Sequence, residues 1–243
     1  DGFVFDSSTL KDGSGAIQCT GNGASYTATL LAVTRSTIKG ASGIGLNAQM
    51  KASITLDADL VTGNKGGGIK IDTVDVAFTN LLIHDNGLAG AAGSDFGGID
   101  VSAAGETGKT TMFNLTVVSN SAKSTALASG VLCVAAPTSL SNALVLGNQG
   151  PATEITASCA PDYSAYIGGS TANNENIPIS GCGLSDLMVA PATGDYHPKK
   201  GGVWFCTFVD QGTNTGAPDH DLEGTSRPQP TSGTDDIGCY EAK

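Results

Sequence analysis

Gly68-Ile69-Lys70-Ile71, Gly98-Ile99-Asp100-Val101 and Gly130-Val131-Leu132-Cys133 repeat one short pattern, and Gly43-Ile44-Gly45-Leu46 precedes them in the same form. In each, a glycine opens a segment whose first and third following residues are apolar, the period of two that a strand with one buried face requires. A second block recurs between them, at Leu56 to Asn64, Phe78 to Asn86, Met112 to Asn120 and Leu140 to Asn148. Three copies carry two asparagines each, Asn80/Asn86, Asn114/Asn120 and Asn142/Asn148, whereas the first has Ala58 and then Asn64. The block openings lie 22, 34 and 28 residues apart, so the unit accepts insertions without losing its strands. A repeat of ~20–30 residues built from short period-2 strands, with no 3.6-residue period, specifies a solenoid. Leucine-rich repeat spacing is absent. The expected fold is all-β, a right-handed parallel β-helix of about five or six short coils closed by an irregular, disulfide-bonded carboxyl-terminal cap.

In such a tube each strand lies about 4.8 Å above the strand of the previous coil, so equivalent side chains stack in rows. The expected inward rows are Ile44/Ile69/Ile99/Val131 and Leu46/Ile71/Val101/Cys133. Asn64, Asn80, Asn86, Asn114, Asn120, Asn142 and Asn148 fall at corners, where asparagine tolerates left-handed backbone and its amide can bond from coil to coil in a ladder. Gly66-Gly67-Gly68 and Gly97-Gly98 are expected to supply positive φ at another corner. Loops fall at 87–96, 103–109 and 121–129. Residues 1–150 thus read as coils with an amino-terminal edge segment. Residues 151–243, where the repeat fades and Pro, Asn and Asp rise, read as the last coils and cap of the same domain. Near the amino end Phe3-Val4-Phe5 is expected either to complete the first coil or to add a strand to a neighbouring subunit.

Lys+Arg 12 against Asp+Glu 23 leaves a net charge of −11, which opposes binding to nucleic-acid phosphates or anionic lipid. No stretch approaches the ~18 apolar residues of a membrane span, and Asp1-Gly2-Phe3 does not begin a signal peptide, so a mature soluble chain is expected. Six cysteines without a CxxC or zinc-finger spacing favour disulfides and an oxidising, extracellular or cell-surface location.

Val209-Asp210-Gln211-Gly212-Thr213, Asp219-His220-Asp221-Leu222-Glu223-Gly224 with Arg227-Pro228, and Asp236-Ile237-Gly238-Cys239-Tyr240-Glu241 form a graded set of motifs. Together with Tyr163-Ser164, Ile167-Gly168-Gly169 and Asp195-Tyr196-His197-Pro198 they resemble the ending of right-handed parallel β-helix surface proteins of the choice-of-anchor Q type. The resemblance spans roughly 160–241 and implies extracellular, surface-associated bacterial proteins. Cys239 replaces the usual alanine, Trp204-Phe205-Cys206 replaces a small-residue segment, and no anchoring tail follows Lys243. The resemblance implies two bridges, Cys159 with Cys182 and Cys206 with Cys239. That leaves Cys19 and Cys133 about three coils, or roughly 14 Å, apart, beyond the ~7 Å a bridge spans. Cys133 is then either a buried thiol or the partner of Cys159 one coil later, with the other cysteines pairing differently.

Parallel β-helices include polysaccharide lyases and hydrolases, so each polar residue needs its own reading. Hydrolysis needs carboxylates on adjacent coils, and the one Asp-Asp, Asp235-Asp236, lies in the cap. Lys70 and Asp100, with Asp72 nearby, read as a cross-coil salt bridge. His84 and His197 read as solvated or capping residues. Asp219, Asp221 and Glu223 around His220 read as an Asx-turn pinned by Arg227, with a calcium ion as the competing reading. No other cofactor is expected. Asn114-Leu115-Thr116 matches a glycosylation acceptor, but Asn114 is assigned to a corner. Phe78, Phe96 and Phe113, the three aromatics of residues 43–148, are too few for a sugar-stacking platform. The expected function is a non-catalytic structural or adhesive surface component, self-associating through its amino-terminal end or meeting other surface proteins. The alternative is a polysaccharide lyase or hydrolase, or a glycan-binding β-helix.

Overall fold

The computed structural model describes residues 3–6, 8–11, 17–20, 29–49, 52–73, 75–104, 110–134, 139–151, 153–167, 176–179, 181–201 and 207–242. The chain winds through three sheets in turn. The coils are β1 (Phe3–Asp6), β2 (Thr9–Lys11) and β3 (Ile17–Thr20); β4 (Thr29–Thr34), β5 (Thr37–Lys39) and β6 (Ile44–Gln49); and β7 (Ala52–Asp57), β8 (Leu60–Thr62) and β9 (Gly67–Thr73). They continue with β10 (Asp75–Thr79), β11 (Leu82–His84) and β12 (Ile99–Ala104), then β13 (Thr110–Phe113), β14 (Thr116–Val118) and β15 (Val131–Cys133). A sixth coil has β16 (Ser139–Ser141) and β17 (Leu144–Leu146), its third side reduced to a bridge between Val131 and Ile155. β18 (Pro161–Asp162), β19 (Ala165–Tyr166) and β20 (Ile177–Pro178) end the stack. From β1 to β14 each strand pairs in parallel with the strand three elements on, and β16, β17 and β19 pair with β18, β19 and β20 at the end of the stack, giving sheets A (β1-β4-β7-β10-β13-β16-β18), B (β2-β5-β8-β11-β14-β17-β19-β20) and C (β3-β6-β9-β12-β15). This is a three-sided parallel β-helix. Among the described residues no helix is long and apolar enough to cross a membrane.

Its interior is a set of stacked rows. On sheet A, Val33, Leu56, Phe78, Met112 and Leu140 stack, on sheet B Ile38, Val61, Ile83, Val117 and Val145, all fully buried. Each such side chain contributes roughly 1.5–3 kcal/mol by leaving water. The sheet C rows differ from expectation at one coil. Leu46, not Ile44, stacks on Ile69, and Ala48, not Leu46, stacks on Ile71, while Ile44 faces Gly67. The glycine that matches Gly68 is therefore Gly45, two residues after the one the pattern suggests. The physical reason is crowding: a Cβ on Gly45, Gly68, Gly98 or Gly130 would lie 2.6–2.8 Å from the carbonyl oxygen of Gly68, Gly98, Gly130 or Glu154 in the next coil. Of the glycines expected to supply positive φ, Gly67 does so (φ 121°), but Gly66, Gly68, Gly97 and Gly98 do not.

The seven asparagines divide between two corners. Arg35, Ala58, Asn80, Asn114, Asn142 and Tyr163 turn the chain from sheet A to sheet B, and all are left-handed (φ 44–55°). Asn64, Asn86, Asn120 and Asn148 follow the left-handed Gly63, Asp85, Ser119 and Gly147 at the next corner and build the ladder. There Nδ2 of Asn64, Asn86 and Asn120 donates to Oδ1 of the next asparagine at 2.8, 2.9 and 3.0 Å. Each of these Nδ2 groups also donates to a carbonyl of the coil below, at Ile38, Val61 and Ile83, and Asn148 Nδ2 donates likewise to Val117. The ladder reading thus holds for Asn64, Asn86, Asn120 and Asn148; at the other corner Asn142 Nδ2 reaches Asn114 Oδ1 only at 3.5 Å and Asn80 bonds Asp57 instead, so there the left-handed backbone is the common feature and the amide row is a single long contact.

Phe3–Asp6 pairs with β4 of its own tube, so Phe3-Val4-Phe5 completes the first coil. Cys133 is bonded to Cys159 (Cα–Cα 5.1 Å), one rung apart at the top of an inward row. The implied Cys159–Cys182 bridge is therefore replaced: Cys182 is disulfide-bonded, but not to Cys159. The implied Cys206–Cys239 bridge is also replaced, because Cys239 is a buried free thiol. Cys206, Trp204 and Phe205 lie outside the described residues, as does the side chain of Cys19.

Candidate functional site at the seam between strap and tube

Sheet B is apolar on both faces, which is why its strands read Leu82-Ile83, Thr116-Val117-Val118 and Leu144-Val145-Leu146 rather than alternating. Outward Leu82, Val118, Leu144, Leu146 and Ala165 form a second core with Ile179, Cys182, Leu187, Met188, Tyr196, Phe208, Ile237 and Cys239. The carboxyl-terminal third is accordingly a strap laid along the flank of the tube. It comprises α1 (Leu184–Leu187), the antiparallel pair β21 (Met188–Ala190) and β22 (Asp195–Pro198), and the irregular residues 207–242. It reaches as far back as the third coil, where His220 meets Asp57.

The left-handed corner is where the strap is sewn on. Asn142 Oδ1 accepts the Thr213 N–H at 2.8 Å and its Nδ2 donates to the Thr213 carbonyl at 2.9 Å. Asn114 Nδ2 donates to the carbonyls of Asp236 and Gly238, both at 3.3 Å. Thr116 Oγ1 accepts the Cys239 N–H at 3.0 Å. Asn114 is fully buried here, so the glycosylation match describes a residue closed to solvent in the folded chain.

The motifs of the carboxyl end interlock. The Arg227 side chain is fully buried; its Nη1 pairs with Glu241 at 2.8 Å and also donates to the Asp236 carbonyl, while Nε and Nη2 donate to the carbonyls of His220 and Gly238. Asp221 accepts the N–H groups of Glu223, Thr225 and Glu241. Asp236 accepts those of Asp210 and Ala242. One buried guanidinium faces Asp235, Asp236 and Glu241, so burial and mutual repulsion push Glu241 up to about 7 and Asp235 to about 6. The motif residues are the strap's folding apparatus.

The predicted calcium ligands are given separate tasks. Asp221 is consumed by backbone donors, Asp219 is exposed and holds His220 at 2.8 Å, and Glu223 lies 3.4 Å from His197. Among the described residues no three or more His, Cys, Asp or Glu side chains are arranged to hold a metal ion. The Asx-turn reading fits what is seen, with Asp221 Oδ1 accepting the N–H of Glu223 two residues on at 2.9 Å and Arg227 N–H donating to the Asp219 carbonyl. Lys70 and Asp100 form the cross-coil pair at 3.3 Å, and Asp72 lies beside Gln49 and Ala103 instead.

All three histidines lie at the seam, whereas the sequence reads His84 and His197 as solvated or capping residues and places His220 within the Asx-turn segment. His84, at the end of β11, has Nδ1 2.7 Å from Asp85 and its ring 5.0 Å from that of Tyr196. His197 has Nδ1 2.7 Å from Asp195 and stacks on Tyr240 at 4.0 Å. His220 sits between Asp219 and Asp57. Beside it opens a cleft of about 390 Å³ lined by Arg35, Ala58, His220, Asp221, Leu222, Glu223 and Gly224. The outer face of sheet A carries a shallower groove of about 260 Å³ lined by Ser53, Ile54, Thr55, Asp75, Val76, Ala77 and Thr111. The one carboxylate in that groove is Asp75. Comparison with protein-family models, with curated proteins and with solved structures finds no match to this chain.

Proposed function

We propose that the chain is a non-catalytic, extracellular structural or adhesive surface component, in line with its resemblance to the choice-of-anchor Q type. The observation that carries this reading is the use made of the polar groups. Asp195, Asp219, Asp221, Asp236, Glu241, His197, His220 and Arg227 of the strap are bonded to one another, to the tube or to backbone, and the open groove on sheet A offers hydroxyls with a single carboxylate. An acid/base pair at glycosidase separation needs two carboxylates across an open groove. The disulfide Cys133–Cys159 supports an oxidising location.

A glycan-binding role is the second reading, favoured by the hydroxyl-lined groove of Ser53, Thr55, Thr111 and Asp75. A polysaccharide panel assayed for both retention and depolymerisation separates the two. Release of reducing ends or unsaturated sugars would overturn the non-catalytic reading, and retention without cleavage would select the glycan-binding form. Self-association through β1, β2 and β3, which end their sheets in strand order, belongs to the same proposal. A monomeric mass by light scattering would remove it.

A further inference from the structure

The contact between His220 and Asp57 joins residues 163 apart in sequence and fastens the strap's loop 219–227 to the third coil. Its tube side is set in advance. Asp57 Oδ1 accepts Thr79 Oγ1–H at 2.6 Å and Asn80 Nδ2–H at 3.2 Å, which leaves Oδ2 facing His220 Nε2 at 3.3 Å. On the strap side Asp219 Oδ1 holds Nδ1 at 2.8 Å. The loop's backbone is carried by Arg227, whose Nε donates to the His220 carbonyl. The other charged groups around the cleft are Arg35, Asp221 and Glu223.

We propose that His220 is a proton-dependent clasp that fastens the strap to the tube, engaged when both ring nitrogens carry protons and can donate to Asp219 and Asp57 together. A neutral imidazole has one N–H and serves only one of the two carboxylates. The bond to Asp219, opposed by partial burial and aided by the charge of Asp57, raises the pKa of His220 above the usual histidine value. With the folded value raised, the contribution is complete below about 6.5 and disappears as pH rises through the folded pKa. Opening the clasp would free loop 219–227 at the cleft and bare the edge of the apolar sheet B face around Leu60 and Leu82.

Hydrogen exchange on the full chain at pH about 5.5, 6.5 and 7.5, corrected for intrinsic rates, tests this, with amides of β11 and β14 as the reference for pH effects on the whole fold. Protection at Asp221, Gly224 and Arg227 should rise about three- to ten-fold relative to that reference as pH falls from about 7.5 to about 5.5. His220→Gln and Asp57→Asn should each abolish the local rise. The same rise in both variants, or none in the natural chain, overturns the proposal. An NMR titration of His220 gives a readout that needs no variant: a pKa at or below that of an ordinary histidine overturns it as well.

Discussion

Glu154 Oε1 accepts the backbone N–H of Asn148 at 2.9 Å, so the asparagine ladder ends in a carboxyl group where a further coil would have placed an amide. Asp59 does the same at the other corner, accepting the Ser36 N–H at 2.8 Å, just as Asn176 accepts that of Ser164 at 2.9 Å. Asn176 uses its Nδ2 to reach the Pro161 carbonyl, whereas Asp59 Oδ2 and Glu154 Oε2 are buried with no hydrogen-bond partner among the described residues. Burial raises both acids to about 7. A neutral acid has the donor that each position lacks.

The sign of the resulting pH dependence follows. Both folded pKa values are raised, so the stabilisation is complete below about pH 4 and is lost as pH rises to about 7. Denaturant melts should give a higher midpoint at pH 5 than at pH 7.5. Asp59→Asn and Glu154→Gln should each flatten this dependence and raise stability at pH 7.5 by roughly 1–3 kcal/mol. A stability that climbs from pH 5 to 7.5 would refute the assignment.

Asparagine-to-glycine substitutions distinguish the two corners. Asn86→Gly and Asn120→Gly should each cost about 2 kcal/mol, because each removes a buried amide and strands the donors and carbonyls it serves. Asn80→Gly should cost under about 1 kcal/mol, since its left-handed φ of 54° is relieved by glycine and its amide makes one long bond. Equal losses at Asn80 and Asn86 would dissolve the distinction.

Gly68→Ala and Gly98→Ala should destabilise by about 2 kcal/mol or more, because the new methyl meets a carbonyl oxygen of the next coil at 2.6 Å and backbone must move. Gly183→Ala, at φ −93° with its nearest contact 3.5 Å away on the Asp186 side chain, should leave the melting temperature within a degree or two. Circular dichroism melts of the three variants suffice.

Reduction should loosen the top of the tube before its middle. Cys133–Cys159 ties Val131–Cys133 to the last rung across 26 residues and stabilises it by roughly 3 kcal/mol, while the coils between Leu31 and Val101 contain no described disulfide. Exchange should accelerate at 131–166 first under reductant. Cys239, fully buried and pushed up to about 12, should resist alkylation in the native chain and react only after unfolding. Labelling of Cys239 under native conditions would mean that the strap opens readily.

The sequence by itself determined the coil. Inward rows, strand period and the block register Leu56/Phe78/Met112/Leu140 are local facts, because every rung repeats the same two-residue alternation and each row needs only residues of one type. The β6 rung of sheet C escaped by two residues, since Gly43 and Gly45 both open a period-2 pattern and only contact with Gly68 and Asn64 selects Gly45. The division of the asparagines was likewise hidden, because left-handed backbone and a stacked amide call for the same residue. What only the tertiary structure decided is where the strap goes. Its docking face was present in sequence as the unbroken apolar runs of sheet B, yet nothing local says that Ile179, Tyr196, Phe208 and Ile237 are the residues that cover them. The pairing of Arg227 with Glu241 and of His220 with Asp57, and the choice of Cys159 for Cys133, depend on that path, for a contact between distant segments is chosen by the shape both have already taken.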